Sequence, residues 1–192
     1  LCKEDDIQKE PSLNLLEKIR DITVRTIYLI QNANIDLLLQ DNLPLSNQKL
    51  EDSINHAIRY LNTFFEQKSK VEIKKFENLI VLGDEFLYRI FVNLIVKMME
   101  FTDEQVDVEL TINPPKEDSF RIVIHFENVI LSDDEKWELL HTESFDRRKL
   151  DIAVTQTLLE RYGIKIKIEN IKRLGELAGT RIILTVPLVE WK

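Results

Sequence analysis

The chain has 192 residues, 44% of them apolar, and a formal net charge of −8. That apolar share supplies the core of a globular domain, while the acidic balance and the lack of a long Lys/Arg run exclude a general nucleic-acid binder. No apolar run approaches the roughly 20 residues that cross a bilayer, and the opening Leu1-Cys2-Lys3-Glu4-Asp5-Asp6 is not a secretory leader. A single cysteine, Cys2, cannot close an internal disulfide, so a reducing, cytoplasmic setting is expected. Because the first residue is not Met, the chain is read as a fragment, with a sensor or membrane anchor expected upstream. Only four glycines occur (Gly83, Gly163, Gly175 and Gly179), and no two of them form a backbone loop that could cradle phosphates.

Residues 1–11 are charged and end at Pro11-Ser12, which predicts a disordered lead followed by a helix cap at Ser12. From 12 to 42 a long helix is predicted, with an apolar stripe through Leu15, Leu16, Ile19, Ile22, Ile27, Leu29, Ile30, Ala33, Leu37 and Leu38. Burying that stripe requires packing on the following domain or on a second copy of the chain, and a homodimer through Leu15–Leu38 is the expectation adopted. Asp41-Asn42-Leu43-Pro44 punctuates the sequence, and Ser46 is expected to cap a second amphipathic helix carrying Leu50, Ile54, Ile58, Leu61 and Phe65. A strand is predicted over Val71–Phe76, and then a helix capped by Asp84 with Leu87, Ile90, Phe91, Leu94, Ile95, Met98 and Met99 facing a core. Strands near Val106–Ile112 and Phe120–Glu127 flank the turn-rich Asn113-Pro114-Pro115. An acidic, helical segment follows Ser132, then a helix over Leu150–Tyr162 and two closing strands, Ile164–Ile168 and Arg181–Val186. This order suits an α/β two-layer sandwich with helices on one face of a mixed sheet, occupying residues 44–192.

The run Gly83-Asp84-Glu85-Phe86-Leu87-Tyr88-Arg89-Ile90-Phe91-Val92-Asn93-Leu94-Ile95 resembles the helix that carries the N box of sensor histidine kinases. Leu150-Asp151-Ile152-Ala153-Val154, Leu158-Leu159-Glu160-Arg161-Tyr162-Gly163 and Ala178-Gly179-Thr180-Arg181 resemble that family's G2 helix and closing Gly-Thr hairpin, and Glu143-Ser144-Phe145 its short F box. The resemblance spans roughly residues 44–189, and residues 13–40 are similar to the second helix of the dimerisation hairpin that precedes this ATPase-like domain. It implies the Bergerat-type fold of the GHKL ATPases, in a degenerate form.

In that family the second Asn of the N box holds Mg²⁺, and a basic residue three places later assists with phosphate. Matching Asn93 to the first Asn puts Lys97 at the metal position and Glu100 at the basic one. An ammonium has no lone pair for a hard cation, and a carboxylate repels phosphate oxygens. The Asp-x-Gly-x-Gly box, whose carboxylate reads the adenine amino group, matches Glu127-Asn128-Val129-Ile130-Leu131, so its glycines are replaced by Val129 and Leu131. The Gly-rich G2 segment matches Arg147-Arg148-Lys149-Leu150-Asp151, with Arg147, Lys149 and Asp151 in place of glycine; Gly179 alone persists, in the structural turn.

The resemblance and its departures together imply a pseudokinase module without metal and without the usual ATP site, acting by docking on a response regulator, a partner kinase or itself. Two alternatives stand beside it. Lys97, Arg147, Arg148 and Lys149 could bind the phosphates of ATP or ADP without Mg²⁺, although a solvated basic turn is the plainer reading. A histidine phosphotransfer intermediary would need an acceptor, and His56, His125 and His141 read as ordinary half-buried or surface histidines.

Overall fold

A computed structural model describes residues 5–41, 43–65, 68–75, 79–116, 118–141 and 149–188, with the side chains of 5–13, 74 and 75 outside the description. The described residues form five helices and seven strands, most of them arranged as a sheet layer and a helix layer. A five-stranded sheet has the order β2 (Ser69–Lys75), β4 (Val106–Lys116), β5 (Ser119–Glu127), β7 (Glu176–Pro187), β6 (Lys165–Arg173). Only the β2–β4 pair is parallel; the others are antiparallel. The sequence makes one face of this sheet apolar by strict alternation. Val106, Val108, Leu110 and Ile112 on β4 meet Phe120, Ile122, Ile124 and Phe126 on β5 and Ile182, Leu184 and Val186 on β7, all buried. The opposite face carries Glu109, His125, Glu169 and Arg181.

Helices α2 (Leu50–Phe65), α3 (Leu87–Met99) and α5 (Leu150–Arg161) cover the apolar face, with α3 in contact with both neighbours. Helix α3 is buried nearly all round. Leu87, Ile90, Leu94 and Met98 belong to the common core, as periodicity requires, but Arg89 and Asn93 are buried too. In a two-layer sandwich the outer side of a central helix faces solvent or a ligand. Here it is covered by α1 (Asp5–Leu39), the long first helix.

Several sequence expectations are corrected. Helix α1 begins at Asp5 instead of Ser12, so the expected disordered lead is largely helical. Proline forfeits one helical hydrogen bond, whereas each further residue of a helix already 35 residues long adds one. Ser46 does not cap a helix. Ser46–Lys49 forms β1, which pairs antiparallel with a strand the sequence reading missed, β3 (Ile80–Gly83), and α2 starts only at Leu50. A four-residue strand has too few alternations to register as a period. Asp84 lies three residues before α3, with Phe86 at the capping position. The helix predicted after Ser132 is α4 (Asp133–Leu140). It opens with a reciprocal capping box in which the Ser132 hydroxyl accepts the Glu135 N–H at 3.2 Å and the Glu135 carboxylate accepts the Ser132 N–H at 2.6 Å. No helix among the described residues is long and apolar enough to cross a membrane.

Candidate functional site

The outer face of α3 carries Arg89, Asn93, Lys97 and Glu100 at spacings of four, four and three, which places them along one line of the helix. Helix α1 lies antiparallel over that line. At one end the Arg25 guanidinium pairs with Glu100 at 3.0 Å; in the middle the Tyr28 hydroxyl donates to Asn93 Oδ1 at 3.0 Å; at the other end Asn32 Oδ1 accepts from Arg89 Nε at 3.3 Å and from Asn93 Nδ2 at 2.9 Å. Asn93 Nδ2 also donates to the Asp151 carbonyl at 3.0 Å, and the Tyr28 hydroxyl lies 3.4 Å from the Asp151 carboxylate. The first residues of α5 are thereby tied into the same contact. Burial pushes the Tyr28 phenol well above its ordinary range, and the neighbouring Asp151 adds to the shift, so Tyr28 acts as a hydrogen-bond donor.

Arg89 is 0% exposed and donates to neutral oxygens of α1: Asn32 Oδ1, the Tyr28 carbonyl at 3.1 Å and Gln31 Oε1 at 3.3 Å. Its guanidinium also sits 5.0 Å from the Tyr28 ring centre and 4.9 Å from that of Tyr60, whose hydroxyl donates to the same Gln31 oxygen. A cavity of about 570 Å³ opens beside this contact, between α1 and the ends of α2 and α3. Phe64, Phe65 and Met99 form its apolar wall, and Arg20, Arg25, Lys68, Asp21, Glu100 and Glu104 give it both signs of charge.

Lys97 is bonded to Glu100 at 2.7 Å, so the residues matched to the family's metal and basic positions pair with each other, and Glu100 is shared with Arg25. Lys149 lies 3.4 Å from Glu138. Arg147, Arg148 and the F-box-like Glu143-Ser144-Phe145 lie outside the described residues. Glu127, matched by the resemblance to the adenine-reading carboxylate, has its side chain 44% exposed and pairs with Arg173 on the neighbouring hairpin at 3.0 Å. Val129 and Leu131 are 2% and 1% exposed and belong to the hydrophobic core. The backbone at Leu131 is held to the sheet by Asn170, whose side chain accepts the Leu131 N–H at 3.4 Å and donates to its carbonyl at 2.7 Å; the buried Thr180 hydroxyl bonds the same Asn170 oxygen at 2.9 Å. Gly179 sits opposite Glu127 in the β5–β7 ladder.

Of the candidate residues, the structure brings together Asn93, Lys97, Glu100 and Asp151. Glu127, Val129, Leu131 and Gly179 form a second group at the end of β5, and Lys149 stands at the start of α5. The histidines are dispersed. The His56 ring stacks on Tyr88 at 3.9 Å, and burial, with Arg59 and Arg89, lowers its pKa; His141 stacks on Trp137 at 4.9 Å; His125 lies on β5. The sequence reading missed Tyr28, Asn32, Arg89 and Asn170. The first two recur four apart on the side of α1 opposite its apolar stripe, and Arg89 precedes Asn93 by four, which is the signal a search for polar as well as apolar periodicity would have found.

Asp151 supplies a pH-dependent test of the contact. Burial holds its carboxyl above the ordinary aspartate range, with Lys97 opposing the shift and Glu100 adding to it. The folded state therefore holds the proton more tightly than the unfolded chain. The corresponding stability is fully present below the unfolded value of about 3.9 and is lost as pH rises through the raised folded value. Asp151→Asn keeps an acceptor but carries no charge, so it is expected to flatten this loss and to raise the melting temperature near neutrality. A variant that melts below the wild type at neutral pH contradicts the placement.

No protein-family model and no curated protein matches the sequence. Solved structures do match. The mycobacterial sensor histidine kinase MprB superposes with a TM-score of 0.60 at 14% identity, covering 75% of this chain and 97% of that one. The catalytic domain of histidine kinase ThkA gives 0.59 at 16%, covering 76% and 98%. The Acinetobacter baumannii histidine kinase AdeS gives 0.61 at 11%, and its match extends over 98% of this chain and 87% of that one. At these identities the likeness is one of fold: the chain has the architecture of the catalytic, ATP-binding domain of sensor histidine kinases, preceded by a long helix.

Proposed function

We propose that the chain is a histidine-kinase-like signalling module of a two-component or phosphorelay pathway that has given up the usual ATP site and works by docking on other proteins in the cytoplasm. The observation that carries this reading is the burial of Val129 and Leu131. Where the family's glycines let backbone approach the nucleotide, these side chains are core, and Asn170 fastens the Leu131 backbone to the sheet. A ligand entering there would have to displace packed aliphatic groups, each worth about 1.5–3 kcal/mol on burial. The pairing of Lys97 with Glu100 adds to this, since a cation already held by a carboxylate offers less to a phosphate. Isothermal titration is expected to give no saturable heat with ATP or ADP, with or without Mg²⁺. Micromolar affinity that disappears in Lys97→Ala would replace this reading with a metal-independent phosphate site.

The docking surface we assign first is the outward side of α1, and its partner a second copy of the chain. Tyr28, Ile35 and Leu39 face the domain and are buried, whereas Leu15, Ile19, Ile22, Ile30 and Leu37 line the opposite side and are exposed. An apolar stripe of this length along one helix is the geometry of a helix–helix seam. Light scattering at tens of micromolar is expected to report a dimer, and Ile22→Glu combined with Ile30→Glu a monomer that keeps the circular dichroism spectrum of the wild type and melts independently of its concentration. A monomeric wild type would remove the assignment.

A further inference from the structure

Helix α1 is fixed to the domain by the buried Tyr28, Ile35 and Leu39, but it does not fill all the space beneath it. On the N-terminal side of Tyr28 it leaves the cavity of about 570 Å³ between itself and the ends of α2 and α3, a volume in the range of small-molecule pockets. The Tyr28 ring meets Phe65 edge-on at 6.0 Å, and Phe64 and Met99 continue this apolar wall. Asp151 lines the same cavity although it is only 3% exposed. Its carboxylate is half satisfied. Oδ1 accepts the Ile152 N–H at 2.9 Å. Oδ2 is approached by the Tyr28 hydroxyl at 3.4 Å, but a phenol has one proton, and Tyr28 places it on Asn93 at 3.0 Å. No closer donor reaches that oxygen among the described residues. Lys97, whose charge is felt at Asp151, is bonded to Glu100 at 2.7 Å.

The charges around the cavity point the same way. Lys68 is held by Asp21 at 3.3 Å and Arg25 by Glu100 at 3.0 Å, which leaves Asp103, Glu104 and Asp151 against Arg20 among the lining residues. No group of three His, Cys, Asp or Glu among the described residues is placed to hold a metal ion, so the cation this cavity suits is an organic one. We propose that the cavity binds a small organic amine, its ammonium on Asp151 Oδ2 and its aromatic or branched aliphatic body against Phe64, Phe65 and Met99. The ammonium gives the buried carboxylate the donor that Tyr28 does not, with the strength of a charge-assisted hydrogen bond. The neighbouring rings of Tyr28 and Phe65 favour a cation over a neutral group of the same shape. This goes beyond the docking reading and does not depend on it: the cavity selects a cation, where a nucleotide is an anion, and α1 stays in place as one of its walls.

The test titrates the full chain with phenethylamine, and with phenethyl alcohol and phenylacetate as neutral and anionic bodies of nearly the same shape, followed by protein NMR. The amine is expected to bind about tenfold more tightly than the alcohol, the factor that one charge-assisted hydrogen bond represents, and phenylacetate not at all. Asp151→Asn is expected to bring the amine down to the affinity of the alcohol. Val24→Trp, which puts a large ring into the cavity from α1, is expected to abolish binding of both. Equal binding of amine and alcohol by the wild type, no saturable binding of the amine, or an amine preference that survives Asp151→Asn overturns the proposal. The comparison of the three probes on the wild type needs no variant, so it decides even if a substituted chain does not fold. The ATP titration above tests the docking reading separately, and neither result alters the other.

Discussion

Replacing Gly179 by alanine is expected to cost more than about 4 kcal/mol and to leave little folded protein at ambient temperature, an effect in the class of backbone collisions. A Cβ at this position would lie 2.4 Å from the Phe126 carbonyl oxygen, which is backbone and cannot swing aside, and the glycine itself has a φ of +156°. Gly179 pairs with Glu127 on one side and Ile171 on the other, so relieving the collision separates β7 from β5 or β6 near the turn of the β6–β7 hairpin. The register of the Glu127–Leu131 segment, and with it the seating of Val129 and Leu131, would go with it. Urea denaturation followed by circular dichroism measures the loss, and an alanine variant with the midpoint of the wild type would mean that the strands are not paired as described.

Asp84→Ala is expected to destabilise the domain by about 3–5 kcal/mol, the range for removing one partner of a buried ion pair. The carboxylate is buried and accepts three groups from two places: the Phe86 N–H at 2.9 Å, where the chain turns into α3, and the Arg161 guanidinium at 3.1 Å and the Tyr162 hydroxyl, where α5 ends. Arg161 in turn donates to the Leu43 carbonyl, so the linker after α1 is joined to the same point. Burial first, and the Asp84 contact second, hold the Tyr162 phenol far above its ordinary range, which keeps it a donor that would be left unsatisfied in the alanine variant. Asp84→Asn keeps acceptors for Phe86 and Tyr162 but not the charge, and should recover part of the loss. A chemical denaturation series that ranks wild type above Asn above Ala bears out the arrangement; an Ala variant within about 0.5 kcal/mol of wild type, the scale of ordinary surface changes, contradicts it.

These two sites differ in how far they could be read in advance. Gly179-Thr180 is legible because the hairpin is local, and a glycine in an alternating strand signals a close backbone approach. Asp84 was legible only as a helix cap, since its main partners are 77 and 78 residues away. The same contrast runs through the candidate site. Val129 and Leu131 stand in the sequence where the resemblance would put glycines, and the volume of two aliphatic side chains is legible from residue type alone. That those side chains would be core, and that Asn170 would clip the Leu131 backbone to β6, depends on strand pairing across the hairpin.

Helix α1 marks the limit most clearly. Its apolar stripe follows from periodicity, and so does the conclusion that the stripe needs a partner. The sequence left open whether that partner is the domain or a second copy. The structure turns the stripe outward and places Tyr28, Gln31 and Asn32 against Arg89 and Asn93, an arrangement that hydrophobic periodicity does not encode because the groups are polar and up to 65 residues apart in the chain. By itself, then, the sequence determined the layers, the long helix and the scarcity of glycine, each a matter of composition and local pattern. Only the tertiary structure decided what lies over the outer face of α3: a helix of the same chain, held by hydrogen bonds between residues that become neighbours only once the sandwich has formed.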